Sequence, residues 1–223
     1  MASLTPSPNP TPVIANESIA DSLRADILRG NLKSGQALKQ DEIAAQFGVS
    51  KIPVREALVQ LRAEGLVTFY PNRGAFVSEL SAAEADEIYV MRIALETAVL
   101  ARAIPNLTVA HLKHAEEILN AIDQEENIAK WGELNWEFHA TLYAPASLPR
   151  LMDTTKALHV NIARYLVLYL AGMAYQKKSQ KEHRAILAAC RHGETEKAVT
   201  YLEGHLRDAS NKLVAFLNKQ EGS

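Results

Sequence analysis

Phe47-Gly48-Val49-Ser50-Lys51-Ile52-Pro53-Val54-Arg55-Glu56-Ala57-Leu58 is the stretch that decides the fold. Gly48 breaks a preceding helix, Val49 is an inward apolar residue, and Ser50 is a natural helix cap. Pro53 falls in the first turn of the following helix, where no intrahelical N–H is lost. The spacing predicts a helix from Lys51 to about Glu64. Upstream, Ile43, Ala44 and Phe47 share one side of a short helix over 40–47. Helix, glycine turn and helix is the helix-turn-helix layout.

Working outward, Ile19, Leu23 and Ile27 recur every four residues and predict an earlier helix, begun at Asn16 as cap and stopped by Gly30 and Gly35. Downstream, Leu66 to Tyr70 is rich in strand formers, Pro71-Asn72-Arg73-Gly74 is turn chemistry, and Ala75-Phe76-Val77 returns as a second strand. The expected unit over 13–80 is therefore a winged helix-turn-helix, preceded by a Pro/Ser/Thr-rich arm over 1–12 expected to be disordered. Between Ser50 and Ala75 the cations Lys51, Arg55, Arg62 and Arg73 outnumber Glu56 and Glu64. Lys51 and Arg55 share a face at a helix N-terminus, which attracts phosphate.

The block just read, with Asp41-Glu42-Ile43-Ala44 before it and Leu61, Glu64-Gly65-Leu66-Val67 and Arg73-Gly74 after it, resembles the GntR family of transcriptional regulators. The resemblance implies a reader of double-stranded operator DNA. It places Ser50, Lys51, Pro53 and Arg55 on the recognition helix facing the major groove, and Asn72, Arg73 and Gly74 on a wing tip in the minor groove. Family members often carry Arg and Thr where this chain has Lys51 and Ile52, so no base preference transfers.

The remaining residues, 81–223, are read as helical. Ser81-Ala-Ala-Glu84 is a capping box. Helices are expected over 82–103, 109–125, 128–144, 148–172, 175–190 and 194–218. They are broken at Pro105-Asn106, Glu126-Asn127, Pro145-Ala146-Ser147, Gly172-Met173 and His192-Gly193. Short connections imply antiparallel neighbours, so the expected fold class is mainly α: a winged helix-turn-helix followed by an antiparallel six-helix bundle.

Histidines punctuate the apolar faces of that bundle. If the last two helices form a hairpin centred near Gly193, His183 lies 10 residues before the centre and His205 lies 12 after. At about 1.5 Å per residue they stand within about 3 Å of the same level. His139 flanks the stripe Trp131, Phe138, Leu142, with Asn135 one turn earlier. Three inward histidines can converge on a divalent transition metal, or each can be a hydrogen-bonded core residue. His111 and His114 are read as surface residues, and His159 and His192 receive no site role. Arg92 sits on the stripe Ile88, Leu95, Val99 and is either ion-paired with Glu96 or a clamp for a carboxylate effector.

Arg92-Ile-Ala-Leu-Glu96, Asn135-Trp-Glu-Phe-His139, Glu182-His183-Arg-Ala-Ile186, Gly193-Glu194, Ala198 and Gly204-His205-Leu206 are similar to the FCD ligand-binding domain of the FadR subgroup, in its six-helix VanR-type branch. The resemblance implies a metal, zinc or nickel, held by Asn135, His139, His183 and His205, with Arg92 and Asn135 as effector contacts. Its metal-binding members usually carry Asp where this chain has Asn135.

The bulk numbers bound the function. The chain has 223 residues, 48% hydrophobic and 22% charged, with a net charge of −2, so DNA contact must come from a local basic surface. No secretory signal or membrane-length apolar run is read, and one cysteine suits a reducing cytoplasm. The leading reading is a cytoplasmic homodimeric regulator whose operator affinity responds to a small carboxylate. Two others stand beside it: a helical metalloenzyme with an N-terminal adaptor, and an architectural DNA binder with a structural metal. Against the enzyme, no histidine follows a Glu at the Glu-x-x-His spacing of di-iron bundles, and no Ser/His/Asp set or phosphate loop is evident.

Overall fold

The computed structural model describes residues 12–170 and 175–221. The expected disordered arm and the expected break at Gly172-Met173 lie outside these residues. The chain divides into two compact units, the first ending at Glu79 and the second beginning at Leu80.

In the first unit, α1 (Pro12–Leu28), α2 (Gln40–Phe47) and α3 (Lys51–Ala63) enclose a core of Ile19, Leu23, Ile27, Ile43, Val54, Leu58 and Leu61. α1 reaches back to Pro12, so Asn16 lies within the helix and does not cap it. Gly48 ends α2 in the left-handed region at φ 64, where a side chain would be strained; this is the turn of the motif. Ser50 occupies the cap position of α3 with no side-chain cap hydrogen bond, and Val49 is half-buried. Arg24 on α1 grips Glu64 just past α3 with two hydrogen bonds, Nε to Oε2 at 2.7 Å and Nη2 to Oε1 at 2.6 Å. That bidentate pair ties the first helix to the end of the third.

The wing is β2 (Val67–Tyr70) antiparallel to β3 (Gly74–Val77), in the register Tyr70↔Gly74 and Val67↔Val77. Three residues close the hairpin, and two positive φ angles, 59° at Asn72 and 94° at Gly74, turn the chain. A strand not foreseen from the sequence, β1 (Ala37–Leu38), pairs with the other edge of β3, giving the order β1-β3-β2. Two residues are too short to show an alternating pattern, so tertiary pairing alone reveals it.

The second unit consists of α4 (Ala82–Ala103), α5 (Val109–Gln124), α6 (Ile128–Tyr143), α7 (Pro149–Leu170), α8 (Tyr175–Arg191) and α9 (Thr195–Glu221). Ser81 and Glu84 form the expected capping box of α4. Thr108 and His111 make an equivalent one on α5, which gives His111 a structural task at the surface. Single 3-10 turns at Ile104–Asn106 and Ala144–Ala146 follow α4 and α6. The core runs along Tyr89, Val99, Leu119, Trp131, Phe138, Leu142, Ile162, Ile186, Leu202 and Leu213. Gly193, at φ 68, turns α8 into α9, and this hairpin sets two of the histidines side by side. Cys190, the only cysteine of the chain, is buried on α8 two turns beyond His183, and burial pushes its thiol up to about 12. Among the described residues no helix is long and apolar enough to cross a membrane.

Candidate functional site

In the first unit the outward face of α3 carries Lys51, Ile52, Arg55, Glu56 and Val59, all exposed. Ser50 is also exposed, whereas Pro53 is buried, so its ring packs inward and cannot stand on that face. Lys51 Nζ meets Asp41 Oδ1 at 2.5 Å, with both groups largely in solvent. At the wing tip, the Arg73 guanidinium lies over the rings of Tyr70, at 5.6 Å, and Phe76, at 5.4 Å. Arg62 lies over Phe69. Sequence reading missed the outward Ile52 and Val59, one 69% and the other 51% exposed, because helical spacing alone does not separate a binding face from a solvated one.

In the second unit, α6, α8 and α9 bring His139, His183 and His205 together, each buried, with one ring nitrogen apiece lying within 4.8 Å of the others. Hydrogen bonds orient every ring. His205 Nδ1 is 2.9 Å from Glu182 Oε2, an acceptor only, so Nδ1 carries the hydrogen. His183 Nδ1 is 3.1 Å from Gln180 Oε1, and the Gln180 amide spends its N–H groups on Leu119 O and Asp123 Oδ1. His139 Nδ1 is 3.2 Å from the Tyr143 hydroxyl, which donates to Glu96 Oε2 at 2.7 Å. With each Nδ1 so engaged, the neutral form of each ring presents a bare Nε2 lone pair.

Two of those lone pairs, His183 Nε2 and His205 Nε2, face each other at 3.3 Å. With both bare, the lone pairs repel unless a proton or a metal cation lies between them. The separation matches the roughly 3.3 Å between two nitrogens that are each about 2.0–2.1 Å from one tetrahedral ion. Ser179 Oγ, 3.5 Å from His183 Nε2, is at the long limit of a hydrogen bond. His139 Nε2 and Asn135 Oδ1, one turn apart on α6, are buried acceptors with no hydrogen-bond partner. Native proteins rarely leave such atoms unsatisfied. The three converging imidazoles therefore fit a divalent transition metal, and Asn135 Oδ1 is an unsatisfied oxygen one turn from His139 on the same helix.

Arg92 is 3% exposed and Glu96 0%, and Arg92 Nε donates to Glu96 Oε1 at 2.7 Å. The ion-pair alternative for Arg92 is thus present. The Arg92 guanidinium also lies 5.0 Å over the Tyr89 ring, and the buried Tyr89 hydroxyl stands beside it. His159, given no role from the sequence, is buried on α7 against Trp136, with its Nδ1 unpartnered. Tyr143, Gln180 and Glu182 were also missed, although the His139–Tyr143 spacing of four already placed those two on one helix face.

Burial holds His139, His159 and His183 neutral well below the ordinary 6.5, helped by His183, His205 and Arg92 at His139, by Arg92 at His159 and by His205 at His183. The sign of the resulting pH dependence follows. These rings take up a proton in the unfolded chain at about 6.5 but resist it in the folded one. Stability is therefore full above that pH and falls as pH drops through and below it. Metal-free protein should lose up to about 1.4 kcal/mol per pH unit for each such histidine. Denaturant unfolding at a series of pH values would show this, and a flat profile between pH 7 and 5 would contradict it.

Comparison with known proteins comes from sequence and from structure. The profile described as "Bacterial regulatory proteins, gntR family" matches residues 15–77, and that of the FCD domain matches residues 87–208. The HTH-type transcriptional repressor RspR of Escherichia coli K12 is 27% identical over 209 residues, covering 92% of this chain and 91% of its own. A GntR family member from Pseudomonas syringae pv. tomato is 32% identical with a TM-score of 0.58, covering 96% and 90%. E. coli McbR/YncC has a TM-score of 0.77 at 25% identity, covering 93% and 98%. RspR and the Pseudomonas syringae protein are transcriptional regulators, as is the family that matches residues 15–77, and not enzymes, which overturns the alternative of a helical metalloenzyme with an adaptor domain.

Proposed function

Since the chain belongs to the gntR family of bacterial regulatory proteins and carries an FCD domain, we propose that it is a homodimeric transcriptional regulator whose operator affinity is set by a small carboxylate bound at a metal in the helical unit. The observation that carries the finer reading is the convergence of three buried imidazoles, each with a ring nitrogen turned toward the others and its Nδ1 engaged elsewhere. His139, His183, His205 and Asn135 hold the ion, zinc or nickel. The metal would supply a positive centre that attracts an anion, since all four protein donors are uncharged. Arg92 offers its terminal nitrogens to the carboxylate, and the unpartnered His159 Nδ1 offers a hydrogen bond to a polar substituent.

The test is elemental analysis of protein purified without chelator or a metal-affinity column, followed by calorimetry with carboxylates with and without metal. Metal with no carboxylate binding would favour a purely structural ion. Carboxylate binding with no metal that can be loaded would leave Arg92 as the sensor and the histidines as core.

At the DNA, Ser50 at the cap of α3 and Lys51 and Arg55 on it read the major groove, and Asn72, Arg73 and Gly74 contact the minor groove. Arg55→Ala should weaken operator binding by about 1–3 kcal/mol and relax specificity at one base pair. Arg73→Ala should weaken all sequences alike and lower the salt slope by about one. Gel-shift titrations on the cognate operator decide both; unchanged affinity for Arg55→Ala would remove it from the reading face. A two-fold symmetric dimer implies a pseudo-palindromic operator.

A further inference from the structure

We propose that Glu96 dictates the tautomer of His139 and, through Tyr143, couples the Arg92 clamp to the metal ligand. This rests on the metal-and-carboxylate reading above. The chain Arg92–Glu96–Tyr143–His139 joins two helices, α4 and α6, each contributing a pair four residues apart. Its direction is forced. Arg92 can only donate, and the Glu96 carboxylate can only accept. Tyr143 has one proton and gives it to Glu96, so its oxygen can only accept from His139. That leaves the hydrogen on His139 Nδ1 and the lone pair on Nε2. In the reverse arrangement, Tyr143 would donate to His139, and Oε2 of a fully buried carboxylate would lose its donor.

The same chain gives coupling a sign. An anion on the terminal nitrogens of Arg92 shares the guanidinium charge that Glu96 otherwise holds alone. Glu96 then pulls harder on the Tyr143 proton, and the Tyr143 oxygen pulls harder on His139 Nδ1–H. His139 Nε2 becomes a stronger donor, so carboxylate and metal tighten each other by one factor. The partners of His183 and His205 lead elsewhere: Gln180 to Asp123, and Glu182 to Lys178. His139 is thus the ligand through which the clamp is felt.

Two measurements test this. In metal-free full-length protein, two-bond proton–nitrogen spectra should show His139 with its hydrogen on Nδ1. Glu96→Gln is near-isosteric, but its amide must turn oxygen toward Arg92 and NH2 toward Tyr143. The chain then reverses, the hydrogen moves to His139 Nε2, and zinc affinity falls by at least about tenfold. In zinc titrations with and without acetate, the wild type should bind zinc at least about fivefold more tightly with acetate present. Tyr143→Phe should still bind each but show a factor at least about twofold smaller, the direct attraction of metal for anion remaining. Wild-type coupling retained in Tyr143→Phe, or a hydrogen on Nε2 in the wild type, overturns the proposal. Failure of the wild type to bind zinc would sink the metal reading and the coupling with it, while the spectra of metal-free protein still decide the tautomer.

Discussion

Glu96→Ala should destabilise the helical unit by about 3–5 kcal/mol, because it strands a buried guanidinium without its acid. Arg92 and Glu96 are both sealed from solvent, so water cannot replace the lost carboxylate. The mutation also removes the acceptor of the Tyr143 hydroxyl. A control separates loss of the pair from loss of volume. Replacing both partners with apolar residues of similar size, Arg92→Met with Glu96→Leu, should cost much less than Glu96→Ala alone. The readout is convenient because the only two tryptophans, Trp131 and Trp136, both lie on α6. Their fluorescence during denaturant unfolding therefore follows the second unit without interference from the first. A loss below about 1 kcal/mol would mean that the pair contributes little net stability.

His205→Ala should abolish metal binding. Losing an outer partner of a metal ligand already costs about 10–100-fold in affinity, and losing a ligand costs more. His205 is also the ring that faces His183 at 3.3 Å, so its removal dissolves the opposed pair of lone pairs that demands a cation. Elemental analysis of the variant should find metal near background, and calorimetry with zinc should be silent. Asn135→Asp should act in the other sense, adding a negative charge to an uncharged donor set. It should raise metal affinity while weakening the pull on an anionic carboxylate. If His205→Ala retains metal at the wild-type level, the ion lies elsewhere.

Much of this was legible in the chain. The glycine-punctuated helices announced themselves because Gly48, Gly65 and Gly193 stand where only a residue without a side chain turns easily. The level of His183 and His205 followed from counting residues either side of Gly193, since a helical hairpin converts sequence separation into height. The partners that orient the rings were not legible. Glu182 neighbours His183 in sequence yet serves His205 across the hairpin, and Glu96 reaches Tyr143 from a different helix. Such contacts depend on how helices rotate about their axes, which periodicity leaves undetermined. His159 escaped for a similar reason: its stripe is apolar, and only packing shows that its Nδ1 finds no partner. Pro53 was misplaced because the motif that carries it mixes inward and outward residues.

The single thiol gives the helical unit a clock. Cys190 sits closed inside α8 and holds its proton tightly, so a thiol reagent at neutral pH meets almost no reactive sulfur in the native state. Labelling must wait for the bundle to breathe, and its rate counts those openings. Because the chain has no second cysteine to blur the signal, any ion or small acid that locks α8 against α9 would lengthen the interval between openings. The sensor's response could then be timed directly, one sulfur per molecule, without DNA in the tube.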